Sequence, residues 1–331
     1  MKKHRKKLLS LLVSATLLGL LISSVDRGAL LQVIGGANLW WFALALAMFI
    51  PQTLAIAHRW SLIVEPIAPI SEREAGRQVL ASSCLNLVLP SKLGDLAKGV
   101  FLYRQGRCRF EDGLQIVVFE KLLDLAALSG LMVIGWLIAP RSDWWVLATL
   151  GLGLVVMGAV WTIYFVKRGG SVVEGVLPGF VTKHPKFGKL DGLLKAGPRV
   201  MALIHGDARR KWSIVAWSFT IWLLHLAQIA FFFFCLRADA GFFEVLARVP
   251  IAIFAGLLPL AIAGVGVRDW AIVAIFGSAT NPRAVLVGVG LLVSLRYVIP
   301  AAAGLLFFNR YLGAAREAQE KLSDSPSKEP T

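Results

Sequence analysis

Apolar runs of about twenty residues recur along this chain, and that is the helical length needed to cross a hydrocarbon core roughly 30 Å thick. The first is "LLSLLVSATLLGLLISSV", Leu8 to Val25. No water is present at that depth to satisfy backbone N–H and C=O groups, so each run must pair its own, as a helix does. The 331 residues are 57% hydrophobic, and the expected fold is an all-α, polytopic membrane helix bundle. Strand-rich alternatives are set aside.

Full spans are expected near 8–25, 39–57, 113–139, 144–166, 212–236 and 284–308, about six crossings. The first follows "MKKHRKK", as a secretory signal would. It is longer than a usual signal core and has no small-x-small cleavage site, so a retained span is expected. Two further apolar stretches, 79–103 and 246–280, are interrupted midway, at Pro90 and within "PLAIAGVGVRD" (Pro259 to Asp269). Each reads as a re-entrant helical hairpin or a broken crossing. Residues 1–311 are expected to form one transmembrane domain, and the polar tail 312–331 to be disordered, with no function assigned.

A formal net charge of +15 raises the question of nucleic acid, which the placement of Lys and Arg decides. With a cytoplasmic N-terminus and both broken segments returning to their own side, 25 of 35 basic residues face the cytoplasm, five the other side, and five lie at membrane depth. That is the positive-inside pattern. No nucleic-acid module accompanies it, so no nucleic-acid partner is expected. The chain reads as an integral protein of the inner or plasma membrane with both termini cytoplasmic. The basic, Gly-rich loop 167–211 reads first as a segment held cytoplasmic by its charge, with contact to anionic lipid or to an envelope-biosynthesis partner as further readings. Cys84, Cys108 and Cys235 stand far apart, with no metal-ligand spacing, and read as packing residues; no cofactor or metal is expected.

Charges at membrane depth are costly unless paired, hydrated or snorkelling, so they mark function by default. In "LPSKLGDLAKGVFLYR" (Leu89 to Arg104), Pro90 breaks the helix and Ser91 can cap a new one starting at Lys92. That helix start, with Lys92 and Lys98, would attract an anion, and Asp95 could pair with either lysine when the site is empty. The bland reading is an amphipathic helix with snorkelling lysines. The second element, "IAGVGVRDWAIVAIFG" (Ile262 to Gly277), has Gly264 and Gly266 as breakers, then Arg268 and Asp269. Setting Asp95 against Asp269 aligns the two elements, and their opposite expected sides suggest an inverted repeat lining a midplane site. In "VVFEKLLDLAAL", Glu120 and Asp124 are four apart and share a helix face, with Lys121 beside Glu120. They read as charge partners for the hairpin lysines, with a proton relay as the alternative. Arg296 lies mid-span, one turn before Pro300, and is expected to face the bundle interior. His225 and Gln228 read as an interhelical hydrogen-bonding pair.

These two motifs, among six to eight spans behind a basic N-terminus, resemble the lysylphosphatidylglycerol synthase transmembrane, flippase-like family over roughly Leu8 to Tyr311. The family's first motif is matched by Pro90, Lys92, Gly94, Asp95 and Lys98, and its second by Gly264, Gly266, Arg268 and Asp269. Members usually carry Glu at the acidic positions, where this chain has Asp. The best-known members add a soluble aminoacyl-transferring domain; this chain ends at Thr331, so the resemblance implies the lipid-translocating half alone. Stand-alone members are linked to polyprenyl-linked sugars, glycolipids or hopanoids.

The leading expectation is therefore a lipid flippase or flippase-like transporter, not an enzyme. Its substrate would be an anionic phospholipid or lipid-linked molecule whose headgroup meets Ser91, Lys92, Lys98, Arg268 and Arg296, balanced by Asp95, Glu120, Asp124 and Asp269. No GxxxxGK[ST] phosphate loop is present, so energy would come from a gradient, mass action or a partner. The alternatives are a non-transporting accessory protein of lipid or envelope biosynthesis and a membrane-embedded glycosyl or phospho transferase. Oligomeric state is not legible in the sequence.

Overall fold

The computed structural model describes residue 19 and residues 23–88, 94–165, 206–257 and 266–307. The expected first span, the C-terminal tail and most of the basic loop 167–211 lie outside them, as do Pro90, Ser91, Lys92 and Gly264. Among the described residues the fold is all-helical, without strands. The helices are α1 (Arg27–Gly35), α2 (Leu39–Ala47), α3 (Phe49–Val64), α4 (Glu72–Val88), α5 (Leu96–Arg104) and α6 (Phe110–Ile138). There follow α7 (Trp144–Phe165), α8 (Ala208–Cys235), α9 (Phe242–Leu257), α10 (Val267–Phe276) and α11 (Arg283–Leu295), the last continued by a helix over 298–307.

Four helical stretches are long and apolar enough to cross a membrane: Leu39–Val64, Trp144–Thr162, Ala208–Cys235 and Arg283–Phe307. They coincide with four of the expected spans. The expected span at 113–139 lies within α6, a 29-residue helix that carries the acidic pair of the site below. Two of the four stretches contain a break three or four residues before a proline. Pro51 has no N–H for the Ala47 carbonyl, and α2 gives way to α3 at Met48; Pro300 has none for Arg296, and the helix is interrupted at 296–297. Asn38 caps α2 by accepting from the Trp40 and Trp41 N–H groups at 3.0 and 3.3 Å, and Asp207 caps α8 in the same way. Helix α8 thus begins at Ala208, a few residues before its expected start. Leu39, Trp40, Leu54, Trp144 and Val155 are exposed, the outward apolar face that lipid would cover.

The helices α6 and α8 carry two separate cores. Their N-terminal parts, Ile116 to Leu123 and Ile214, pack on α3 and α4 through Trp60, Ile63, Val64, Ala75 and Val79. Their C-terminal parts, from Ala127 and from Leu226, pack on α9, α10 and α11 through Val249, Ile253, Ile272, Phe276 and Val289. The two interrupted elements, α4–α5 and α9–α10, therefore dock at opposite ends of the same helix pair. Gln228 of α8 links this pair to the first stretch: it donates to the Ala45 carbonyl at 2.8 Å and accepts from Gln52 at 3.1 Å. The interhelical bond expected of His225 and Gln228 is carried by Gln228, while His225 packs edge-on against Trp222. Cys84 and Cys235 are buried and all three cysteines are free thiols.

Candidate functional site: two buried charge clusters

Between α4 and α5 the chain folds back on itself. Asn86 donates to the Asp95 carboxylate at 2.9 Å and accepts from the Asp95 N–H at 3.2 Å, a reciprocal contact that a continuous helix would place out of reach. Gly94 permits it. A Cβ there would stand 2.5 to 2.7 Å from the backbone of Ser82, Leu85 and Asn86, a separation that no side chain tolerates.

This fold-back delivers Asp95 and Lys98 to α3 and α6, where a six-membered ion network closes. Lys98 Nζ lies 2.5 Å from Glu120 and 4.4 Å above the Trp60 ring. Arg59 reaches Asp124 at 2.6 Å and Glu120 at 3.2 Å, and also donates to Ser218 Oγ at 3.0 Å. Lys121 meets Asp95 at 2.6 Å and Asp124 at 3.4 Å. Three cations thus face three carboxylates. Arg59, Lys98 and Glu120 are each about 1% exposed, whereas the Lys121 side chain keeps 39% of its surface. Lys98 meets Glu120, the kind of pairing expected between the hairpin lysines and the α6 carboxylates, and is thereby already engaged. Asp95, expected to pair with Lys92 or Lys98, meets Lys121, while Lys92 lies outside the described residues.

Arg59 is the member that sequence reasoning missed. It follows His58 at the edge of the apolar run, which makes it look like a cytoplasmic residue flanking a span that ends near 57. In fact α3 continues to Val64 and buries it. A detectable signal was the acidic excess of α6: Glu120 and Asp124 need more positive charge than the neighbouring Lys121 supplies.

The second cluster has a different constitution. Gly266, at φ 92°, takes a backbone conformation closed to most side chains, and its N–H donates to Asp269 Oδ2 at 3.0 Å, starting α10. Arg268 directs Nε and Nη2 onto Asp269 Oδ1 at 2.9 and 2.6 Å, and Nη2 also reaches Ser294 Oγ at 2.8 Å. Two residues beyond Ser294 stands Arg296, 7% exposed, at the helix interruption. It donates to the Tyr297 hydroxyl at 2.8 Å and lies 4.8 Å from that ring. Among the described residues Arg296 has no carboxylate partner. Its Nε and Nη1, and Nη1 of Arg268, are buried without a hydrogen-bond partner. Arg59 also leaves its Nε unpaired, but its other two nitrogens both meet carboxylates.

The helix over 283–307 touches both interrupted elements. Gly290 of α11 lies against Asp269, a Cβ there falling 3.0 Å from that of Asp269, and Gly304 beyond the interruption abuts the Leu80 carbonyl of α4. Arg296 occupies the stretch between these contacts. Among the described residues no group of His, Cys, Asp and Glu converges as a metal site would.

Long apolar helices, two interrupted elements docked at opposite ends and ionised side chains buried between them define a polytopic membrane protein with an internal polar site. The chain belongs to the family described as the lysylphosphatidylglycerol synthase TM region, whose model matches residues 7–304. It is also similar to the UPF0104 membrane protein MJ1078 of Methanocaldococcus jannaschii, with 26% identity over 202 residues, covering 57% of this chain and 77% of that one.

Proposed function

We propose that this integral membrane protein moves an anionic phospholipid or a lipid-linked substrate between leaflets, acting as a flippase-like transporter and not as an enzyme. The observation that carries the reading is the pair of interrupted helical elements, one at each end of α6 and α8, both holding buried charge and both touched by the helix over 283–307. Interrupted helices at membrane depth are tolerated where they line a cavity or an internal site. A two-ended arrangement gives a headgroup a polar way in from either side while its tails stay in lipid. Membership in the lysylphosphatidylglycerol synthase TM region family supports a lipid as cargo. The excess of basic residues in 1–7 and 167–211 supports cytoplasmic termini in an inner or plasma membrane.

The test is reconstitution into liposomes with fluorescent phosphatidylglycerol, phosphatidylcholine and a polyprenyl phosphate. Faster leaflet exchange of at least one anionic species than in protein-free liposomes, with the lipid recovered chemically unchanged by mass spectrometry, is expected. Exchange equal to that of empty liposomes for every species, or a chemically altered lipid, would contradict the proposal.

A further inference from the structure

A guanidinium withdrawn from water keeps its charge, because its proton is held too tightly to be released. Burial without a counter-ion is therefore costly, and native structures avoid it or supply an anion. Every basic member of the first network has a carboxylate within 3.4 Å. Arg296 has none among the described residues, and Asp269, the carboxylate of the second cluster, is held by Arg268 and by the Gly266 N–H. Two buried nitrogens remain unused on Arg296 and one on Arg268. Ser294, two residues before Arg296, accepts from Arg268.

We propose that Arg296, buried with Nε and Nη1 unused, forms an oxyanion site for a phosphate group. A fork of parallel N–H donors matches phosphate oxygens two at a time, a geometry that lysine cannot offer. The Tyr297 ring holds the Arg296 plane, so the donors are already oriented before the anion arrives. The phosphate is that of a lipid headgroup or free inorganic phosphate; the first source rests on the lipid-handling function proposed above. The site narrows the headgroup contacts to the second element and leaves Lys98 out, because Lys98 is neutralised by Glu120.

The experiment uses the full chain in detergent, with thermal melting followed by tryptophan fluorescence. Its probes are dioctanoyl phosphatidylglycerol, dioctanoylglycerol, which lacks the phosphate, and inorganic phosphate. Phosphatidylglycerol is expected to raise the melting temperature and dioctanoylglycerol to leave it unchanged. Arg296→Gln is expected to weaken the response at least tenfold, and Arg296→Lys several-fold, since it keeps the charge and loses the fork. A response to inorganic phosphate that depends on Arg296 and is not exceeded by the lipid would keep the oxyanion site and assign it to free phosphate. Equal shifts from dioctanoylglycerol and phosphatidylglycerol in the wild-type protein would overturn the site whether or not the variants fold, as would undiminished phosphate-dependent shifts in both folded variants. Arg296-dependent binding without leaflet exchange in liposomes would keep the site and remove the transport function. Exchange unaffected by Arg296→Gln would do the reverse.

Discussion

The α3–α5–α6 network and the α10–α11 cluster are both buried, both built where a helix is interrupted and both centred on an aspartate three residues or fewer from a breaker glycine. They differ in balance. Among the described residues, which do not include Lys92, the first sets Arg59, Lys98 and Lys121 against Asp95, Glu120 and Asp124, with no cation left over. The second has Arg268 and Arg296 against Asp269 alone. A balanced buried network is a fastener: it holds the fold-back of α5 in one register and has no charge to offer a visitor. An unbalanced one is a receptor, because only an added anion completes it. On the site proposed above, one of the two elements fixes geometry and the other would bind.

Breaking the balance of the first network should have the largest effect. Arg59→Met would remove the guanidinium that bridges Glu120 and Asp124 and leave three carboxylates to two cations, and removing one partner of a buried ion pair costs about 3–5 kcal/mol; the melting temperature of the purified protein is expected to collapse, or the variant not to accumulate. Gly94→Ala should come next. Its methyl group would strike the backbone of Ser82 to Asn86, and forced overpacking of this kind costs roughly 1–3 kcal/mol, read as a lower melting temperature. Arg296→Met is expected to change stability in the opposite direction. With no anion present it removes an unpaired buried charge, and the ligand-free protein should gain about 1 kcal/mol in the same melting experiment. The smallest effect belongs outside both clusters. His58 and Glu72 meet at 2.6 Å but the Glu72 side chain is 67% exposed, so Glu72→Gln should shift stability by less than about 0.5 kcal/mol.

Much of this contrast was legible in the sequence. Interruptions were expected at Pro90, Gly264 and Gly266 because a missing N–H and a missing Cβ act locally; Pro90 and Gly264 lie outside the described residues, but separate helices flank both places. The four-residue spacing of Glu120 and Asp124 put them on one face, where one guanidinium spans them. Pairings between elements were not legible. Whether Asp95 meets Lys98 or Lys121 depends on how α5 crosses α6, which is set by the fold-back at Gly94 against Asn86. Arg59 was hidden for another reason: at the end of an apolar run a buried arginine and a snorkelling one look alike in sequence. Arg296 was expected to face the interior, but that no carboxylate meets it among the described residues depends on which helices pack beside it, which spacing along the chain does not carry.

The most direct measurement compares leaflet exchange of fluorescent phosphatidylglycerol in liposomes carrying the wild-type protein, Arg296→Gln or Lys121→Gln. Lys121 belongs to the balanced network but is partly exposed, and without it Asp95 keeps Asn86 and Asp124 keeps Arg59, so the variant is expected to fold, which its melting temperature checks. Exchange is expected to fall to the protein-free rate in Arg296→Gln and to stay above half of the wild-type rate in Lys121→Gln. Equal losses in the two variants, or a loss confined to Lys121→Gln, would contradict the division between a fastening cluster and a binding one.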